Sequence, residues 1–115
     1  MKQREISIHL SFTEIIITVE NIGTDLCIAV QGGKPHIGCT VLAVPRKSLK
    51  GDSISCTSSV INVTGHKDEE ICRYLAEKAA AKYNVTAVCT GGIHIDGITS
   101  GQLEELREGI EKAEI

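Results

Sequence analysis

The amino-acid sequence predicts an α+β fold: a mostly antiparallel sheet of about five to six strands with two helices packed on one face. In the first half of the chain, apolar and polar residues alternate with a period of two, as they do in half-buried strands. In the second half, the apolar residues recur with the period of an amphipathic helix. The length of 115 residues fits one domain, and we therefore expect residues 1–115 to form a single domain.

Five strands are predicted ahead of the first helix, and a short buried one after it. They cover residues 6–12, 15–19, 26–31, 37–44 and 53–63, and then 86–90. Pro45 is expected to end the fourth strand, because proline has no N–H to donate to a ladder. The glycine-rich segment 91–97 is expected to leave the sixth strand as a loop.

Two helices are predicted from their end signals and their apolar faces. The first begins in the acidic run 68–70, where carboxylates meet the positive end of the helix dipole, and it stops at Asn84. The second begins with Thr99 and Gln102, which have the spacing of a capping box. The side of this helix that is expected to be buried carries Leu103, Leu106, Ile110 and Ala113.

Composition and charge exclude several classes of function. The net charge is −3, so the chain has no basic surface to bind a phosphate backbone. Only 3% of the residues are aromatic, so few side chains could stack on nucleic-acid bases. No run approaches the roughly 18 apolar residues of a membrane helix, and no apolar leader segment is visible. The five cysteines form no C-x-x-C pair and mostly lie in apolar stretches, as free thiols in a reducing compartment do. We therefore expect a cytoplasmic protein that binds neither nucleic acid nor membrane.

Three of the four histidines stand beside glycines, where a strand meets a loop or a helix start. His36, His66 and His94 are therefore candidates to converge on a divalent metal ion or on an anion such as phosphate. Asp96 is expected on the same side as His94, because side chains alternate along an extended segment, and would then be a co-ligand or orient the imidazole. The alternative is three unrelated loop histidines, since no recognised ligand spacing links them.

A second group of residues is suited to a phosphate. Gly32-Gly33-Lys34 resembles an anion nest, in which backbone N–H groups and a lysine meet the phosphate oxygens. Lys67 stands just before the first helix, whose N-terminus attracts anions, and Ser58 and Ser59 add hydroxyl groups. The alternatives are a plain glycine turn between two strands and an exposed polar strand face. No Ser-His-Asp order, paired catalytic carboxylates or GxGxxG fingerprint is visible, so the sequence does not indicate a self-sufficient enzyme.

Three short segments, taken in this order, resemble one protein family. They read GKPHIG at 33–38, TSSV at 57–60 with GHKDE at 65–69, and GIHID at 92–96. In them the chain is similar to the small D-subunit-like proteins associated with gallate decarboxylase, which are described as prenylated-flavin chaperones. The resemblance implies that it binds prenylated FMN, or FMN, and helps to deliver it to a partner decarboxylase. The layout is also similar to the small proteasome-assembly-chaperone fold, which tends to form dimers.

The candidate residues divide into two sets under this hypothesis. Cofactor binding is assigned to Gly32, Gly33, Lys34, Ser58, Ser59 and Lys67, and metal binding to His36, His66, His94 and Asp96. A homodimer is expected, because two helices leave an edge or a face of the sheet uncovered. Two other functions stay open: a small metalloenzyme built on the histidines, and a non-enzymatic assembly chaperone or structural subunit.

Overall fold

The computed structural model describes residues 3–63 and 68–115 of the chain. Their elements are, in order, β1 (Arg4–His9), β2 (Glu14–Ile22), β3 (Asp25–Gly33), β4 (Cys39–Lys47), β5 (Ile54–Asn62), α1 (Glu69–Tyr83), β6 (Ala87–His94) and α2 (Ser100–Lys112). This arrangement confirms the predicted α+β class with six strands and two helices.

The last strand in the chain, β6, lies inside the sheet. The strand order is β1-β2-β3-β6-β4-β5. Neighbouring strands are antiparallel except for β3 and β6, which run parallel. The sheet is therefore mixed but mostly antiparallel, as predicted, and β6 joins the meander β1–β3 to the hairpin β4–β5.

One face of the sheet holds the core and is covered by the two helices. The register places buried residues of neighbouring strands opposite each other, as with Ile17 and Val30, or Val41 and Cys89. α1 packs over β3 to β6, and α2 approaches β1, where Gly109 comes close to Ile8. The core is aliphatic, as the composition requires; its larger members are Ile15, Ile17, Val19, Ile28, Val30, Val41, Leu75, Leu106 and Ile110.

The alternate residues of the same strands form the opposite face, called here the open face. Large apolar side chains are exposed on it: Leu42 and Val44 on β4, Ile22 on β2, and Ile61 on β5, which is 76% exposed. No helix covers this face in the described part of the chain. The sheet therefore has one packed side and one side that is accessible to a ligand or to another protein.

The helix ends follow the predicted signals. Asp68 is the N-cap residue of α1, and the helix ends at Asn84, which has a left-handed backbone with φ 53°. The Thr99 hydroxyl accepts the N–H of Gln102, and the Gln102 side chain accepts the N–H of Thr99, so the predicted capping box is present. Neither helix, among the residues described, has the length and apolar character that a membrane span requires.

Several strand boundaries differ from the prediction: β1 ends at His9 rather than at Phe12, and β2 runs to Ile22 rather than ending at Val19. Two further differences depend on pairing partners that are distant in sequence. β4 does not end at Pro45 but continues beyond it. β6 pairs with β4 only as far as Ala43, so at Pro45 one edge of β4 has no neighbour, and a missing N–H on that edge breaks no ladder bond. β6 does not end at Thr90 but runs to His94, because β3 pairs with it as far as Gly33.

Candidate functional site

Most of the described candidate residues gather at one end of the sheet, called here the histidine end: Lys34, His36, His94 and Asp96, together with Asp68. β3 and β6 finish there side by side, and the loop 34–38 crosses to β4. The loop is fastened to β6 twice: the Lys34 N–H donates to the His94 carbonyl at 3.0 Å, and the Gly38 N–H donates to the Gly91 carbonyl at 2.9 Å. Backbone pairing therefore brings His36 beside His94.

Glycines permit the close packing at this end. A β-carbon on Gly33, whose φ is +62°, would lie 2.1 Å from the His94 carbonyl oxygen. A β-carbon on Gly92 would lie 2.7 Å from the His36 ring and 2.9 Å from the Asp68 carboxylate. No side chain fits at such distances, so these two glycines let the loop, the imidazole and the carboxylate approach β6.

Asp68 is the buried polar centre of the histidine end, and the sequence did not single it out as a site residue. It is 6% exposed, the one buried polar or charged residue among those described. Its Oδ1 accepts the N–H of Ile93 at 2.9 Å, and its Oδ2 lies 3.2 Å from Nε2 of His36. Its side chain makes no capping bond to α1. An aspartate before a helix usually indicates only a helix start, so the sequence signal was ambiguous.

The exposed rim of this end is a chain of charged and polar groups. Asp96 accepts a hydrogen bond from Nζ of Lys34 at 2.9 Å, and its other oxygen lies 2.8 Å from Nε2 of His94. The hydrogen bond from the Lys34 ammonium, followed by that from His94, lowers the pKa of the Asp96 carboxyl. The ring of His94 stands edge-on to that of His36, with 6.2 Å between their centroids. Four candidate residues are thus in one place.

The described residues do not include a complete set of ligands for the predicted metal site. No group of three or more His, Cys, Asp or Glu side chains within 3–63 and 68–115 is arranged to hold a metal ion. Nε2 of His36 faces Asp68, and Nε2 of His94 faces Asp96, so each imidazole is directed at a carboxylate. The third predicted ligand, His66, lies outside the described residues, as does the predicted phosphate ligand Lys67. The described residues alone therefore do not form a metal site, and the predicted one, which includes His66, stays a prediction.

The glycines of the Gly32-Gly33-Lys34 segment are explained by the structure of the sheet, without phosphate binding. The Lys34 N–H is already used by the His94 carbonyl, so it is not an open nest donor. A β-carbon on Gly32 would lie 2.4 Å from Cδ1 of Ile15 in the core. Close packing therefore accounts for the glycines of this segment, and the exposed ammonium of Lys34 is the group that remains for an anion.

Ser58 and Ser59 lie on β5, away from the histidine end. Ser59 pairs with Leu42, which in turn pairs with Val88 of β6, six residues before His94. At about 3.3 Å per residue, this separation is on the order of 20 Å along the strands. Ser58 faces the helices instead, and its hydroxyl hydrogen-bonds to the Glu77 carboxylate. The structure does not bring the two serines to Lys34.

Two adjoining grooves open beside the histidines. One has a volume of about 250 Å³ and is lined by Lys34, Pro35, His36 and His94. The other, of about 350 Å³, shares Pro35 and His36 and continues along Ala29, Gln31, Ile37 and Thr90. A larger cavity of about 560 Å³ lies at the opposite end of the sheet, but histidine is absent from its lining. Charged and polar residues border the first groove, and mostly apolar residues border the second.

The fold is a small α+β domain in which polar side chains and two shallow grooves share one end of the sheet. Residues 11–114 match the family described as the prenylated flavin chaperone LpdD-like domain. The chain belongs to this family, which supports a chaperone role as a non-enzymatic accessory protein, and implies association with flavin and with a partner enzyme.

One solved structure, a chaperone complex for yeast 20S proteasome assembly, is similar to the chain in fold. The sequence identity is 16% and the TM-score 0.55, over 97% of this chain and 91% of that chain. At this identity the likeness concerns the fold alone, and it agrees with the layout that the sequence indicated. No curated protein matches the chain significantly.

Proposed function

We propose that the chain binds prenylated FMN, or FMN, at the histidine end and carries it to a decarboxylase that uses the prenylated cofactor. The observation that carries this proposal is the meeting of the Lys34 ammonium and the imidazoles of His36 and His94 in one groove, beside a second, mainly apolar groove. Family membership supplies the class of ligand. An ammonium and two imidazoles suit the phosphate, and the apolar groove suits the ring system.

The phosphate end of the ligand is proposed to bind between Lys34 and the two histidines. Imidazoles donate an N–H when neutral and add charge when protonated. Asp96 already accepts a hydrogen bond from Lys34, so a phosphate competes with an internal carboxylate for the same ammonium. This competition lowers the affinity for the phosphate, which suits a carrier that has to release its ligand.

The flavin ring and its prenyl addition are proposed to lie along the second groove. Ala29, Pro35 and Ile37 offer apolar contacts, and the Gln31 amide offers hydrogen bonds to the polar edge of the ring. No Phe, Tyr or Trp lines this groove among the described residues, so the ring is not sandwiched between aromatic side chains. Added apolar surface on the ligand increases the buried area, and prenylated FMN is therefore expected to bind more tightly than FMN.

The test is a titration with FMN and with riboflavin, which lacks the phosphate, followed by calorimetry. Losing one charge-assisted contact lowers affinity roughly 10- to 150-fold, so Lys34→Ala should weaken FMN binding by that factor and leave riboflavin binding nearly unchanged. Lys67→Ala examines the second predicted cation in the same way. Lys50→Ala, which removes an equal charge in an exposed loop, is the control. Equal affinity of the unaltered chain for the two ligands would show that the phosphate is not the anchor.

Delivery is tested with an apo-decarboxylase of the prenylated-FMN-dependent type. The chain loaded with prenylated FMN should restore activity faster than the same amount of free cofactor, and loaded Lys50→Ala should match it. Absence of any difference from free cofactor would contradict the carrier role. The proposal does not depend on a metal ion; a metal held by His36, His94 and Asp96 together with His66, which lies outside the described residues, stays a prediction.

We also propose that two copies of the chain pair through the β4–β5 half of the open face. An isologous contact brings the same patch of both copies together, so it favours a patch that is apolar and uncharged. Leu42, Val44 and Ile61 form such a patch, whereas the β2 part of this face carries Glu14 and Glu20. Like charges on the β2 part would repel each other in a paired arrangement.

Light scattering should return twice the chain mass at micromolar concentration, and Ile61→Glu should return the monomer mass. Leu49→Glu is the matched control, because Leu49 is 90% exposed in the loop after β4, outside the sheet face. A monomer mass for the unaltered chain would refute the pairing.

The proposed location is the cytoplasm, since all five cysteines remain free thiols.

A further inference from the structure

The second groove and the patch that is proposed to pair two copies lie on the same face of the sheet. The strand residues that line the groove alternate with buried residues of β3 and β6, so they belong to the open face: Ala29, Gln31 and Thr90. The residues of the patch, called here the pairing patch, belong to this face by the same alternation: Leu42, Val44 and Ile61. A second copy that docks on the patch therefore approaches the groove from the same side.

The strand register gives the distance between the groove and the pairing patch. Thr90 of the groove pairs with Thr40 of β4, and Thr40 pairs with Ile61 of the patch. The hydroxyl groups of Thr90 and Thr40 are hydrogen-bonded to each other at 2.8 Å. Because neighbouring strands are about 4.8 Å apart, Ile61 stands roughly 10 Å from the groove wall, with one strand between them.

Exposed apolar side chains continue from the pairing patch to the mouth of the groove. Val63 follows the end of β5 and is exposed, and its N–H donates to the Gly38 carbonyl at 2.8 Å. Ile37, the residue before Gly38, is also exposed, and it lines the groove. The patch and the groove therefore share one apolar border, next to the beginning of β4.

A contact of ordinary size on the pairing patch covers this border. Stable pairs of proteins bury about 800 Å² on each partner, which corresponds to a disc with a radius of about 16 Å. β5 is an edge strand, so the sheet continues only on the β4 side of it. A contact of that size, centred on the patch, extends across β4 to β6 and reaches Thr90.

The groove itself leaves one side of a flat ligand without a wall. Its lining comes from β3, β6 and the loop 34–38, and no helix covers the open face among the residues described. A flavin ring that lies on Ala29 and Thr90 would keep its other side in water. An additional protein surface on that side would remove apolar ring atoms from water and favour binding.

We propose that the second copy supplies this outer wall, so that flavin binding and pairing strengthen each other. This coupling rests on both parts of the proposed function, the flavin site and the pairing. Covering about 60 Å² of ring surface that otherwise faces water raises the affinity roughly 10-fold at each site. Coupling between two equilibria is reciprocal, so flavin at both sites lowers the dissociation constant of the pair by the square of this factor, roughly 100-fold.

The experiment measures both equilibria on the full chain. Sedimentation velocity gives the dissociation constant of the pair without ligand, with FMN and with riboflavin, and titrations below and above that protein concentration give the FMN affinity. FMN should bind roughly 10-fold more tightly at the higher concentration, and saturating FMN should tighten the pair roughly 100-fold. Riboflavin should show the same coupling, because the second copy contacts the ring and not the phosphate.

Variants separate the loss of the wall from a change of charge. Ile61→Glu and Ile61→Lys should both give monomers, with an FMN affinity roughly 10-fold below that of the paired, unaltered chain. If the FMN affinity changed in opposite directions in the two variants, the effect would be electrostatic and the proposal would be wrong. Leu49→Glu adds a charge on an exposed loop outside the sheet face, and it should pair and bind FMN as the unaltered chain does.

The possible failures can be told apart. A chain that pairs and binds FMN, but with an affinity independent of its concentration, would overturn the coupling alone. FMN that splits the pair would overturn it as well, because the second copy would then block the groove. Absence of FMN and riboflavin binding at every concentration would overturn the flavin site, and a monomer mass with and without ligand would overturn the pairing. The coupling would fall with either.

Discussion

The two faces of the sheet are built from alternate residues of the same strands, yet they differ in almost every property. On the helix-covered face, Ile17 of β2 is fully buried, its register neighbour Val30 on β3 is buried as well, and Ile6 on β1 is partly buried. On the open face, Ile22 of the same strand is 64% exposed. The difference shows that stability depends on one face, which leaves side chains of the other free for binding and association.

The largest expected effect tests this division directly. Ile17→Ala removes a fully buried side chain and should lower the free energy of unfolding by about 2–5 kcal/mol, whereas Ile22→Ala, the same change on the open face of the same strand, should cost less than about 0.5 kcal/mol. Urea denaturation followed by circular dichroism measures both. Similar losses in the two variants would show that the open face is packed against something in solution.

A smaller effect is expected where the loop meets the end of the sheet. Gly33 and Gly23 both have φ of +62°, but a β-carbon on Gly33 would collide with the His94 carbonyl, while nothing is near that of Gly23. In both alanine variants the left-handed backbone should lower the free energy of unfolding by about 1–2 kcal/mol. In Gly33→Ala the collision should lower it by about 1–3 kcal/mol more. The same urea experiment gives both values. Equal losses would mean that the loop readily moves off β6, and that the histidine end is not rigidly held.

The smallest effect concerns the exposed rim. Lys34 lowers the pKa of the Asp96 carboxyl, so Lys34→Met should raise that pKa toward its ordinary value, and Lys50→Met should not move it. Because the folded-state pKa is depressed, the stabilisation is present above the unfolded-state pKa and is lost as the pH falls through the folded-state value. At neutral pH the ion pair is therefore intact. An NMR titration of the Asp96 side-chain carbon checks this, and an unchanged midpoint in Lys34→Met would contradict the contact.

Local sequence signals predicted the presence of each helix and strand better than they predicted which strands pair and how far the pairing extends. The capping box at Thr99 and Gln102 is entirely local, and it was found without a structure. The continuation of β4 past Pro45 depends on where β6 stops pairing, and the extension of β6 depends on β3, which lies more than 50 residues earlier in the chain. Such information is not contained in any short window of sequence.

The candidate site shows the same limit. The glycine-flanked positions drew attention to His36 and His94, and the hydrogen bonds of the loop 34–38 to β6 do bring these two side chains together. The two serines were expected nearby because they are polar, but the register of β5 places them elsewhere. Asp68 was missed because its role depends on the backbone of β6, which approaches it only after the sheet has formed.

The internal position of β6 has a consequence for how the chain reaches its native state. The meander β1–β3 and the hairpin β4–β5 each form from segments that are close in sequence, but they share no hydrogen-bonded strand pair with one another. They become one sheet only when residues 87–94 insert between them. During synthesis on a ribosome, that strand is made only after all the strands of both units. Until then, β3 and β4 each have an edge without a hydrogen-bonded neighbour. The insertion of β6 pairs both of these edges at once.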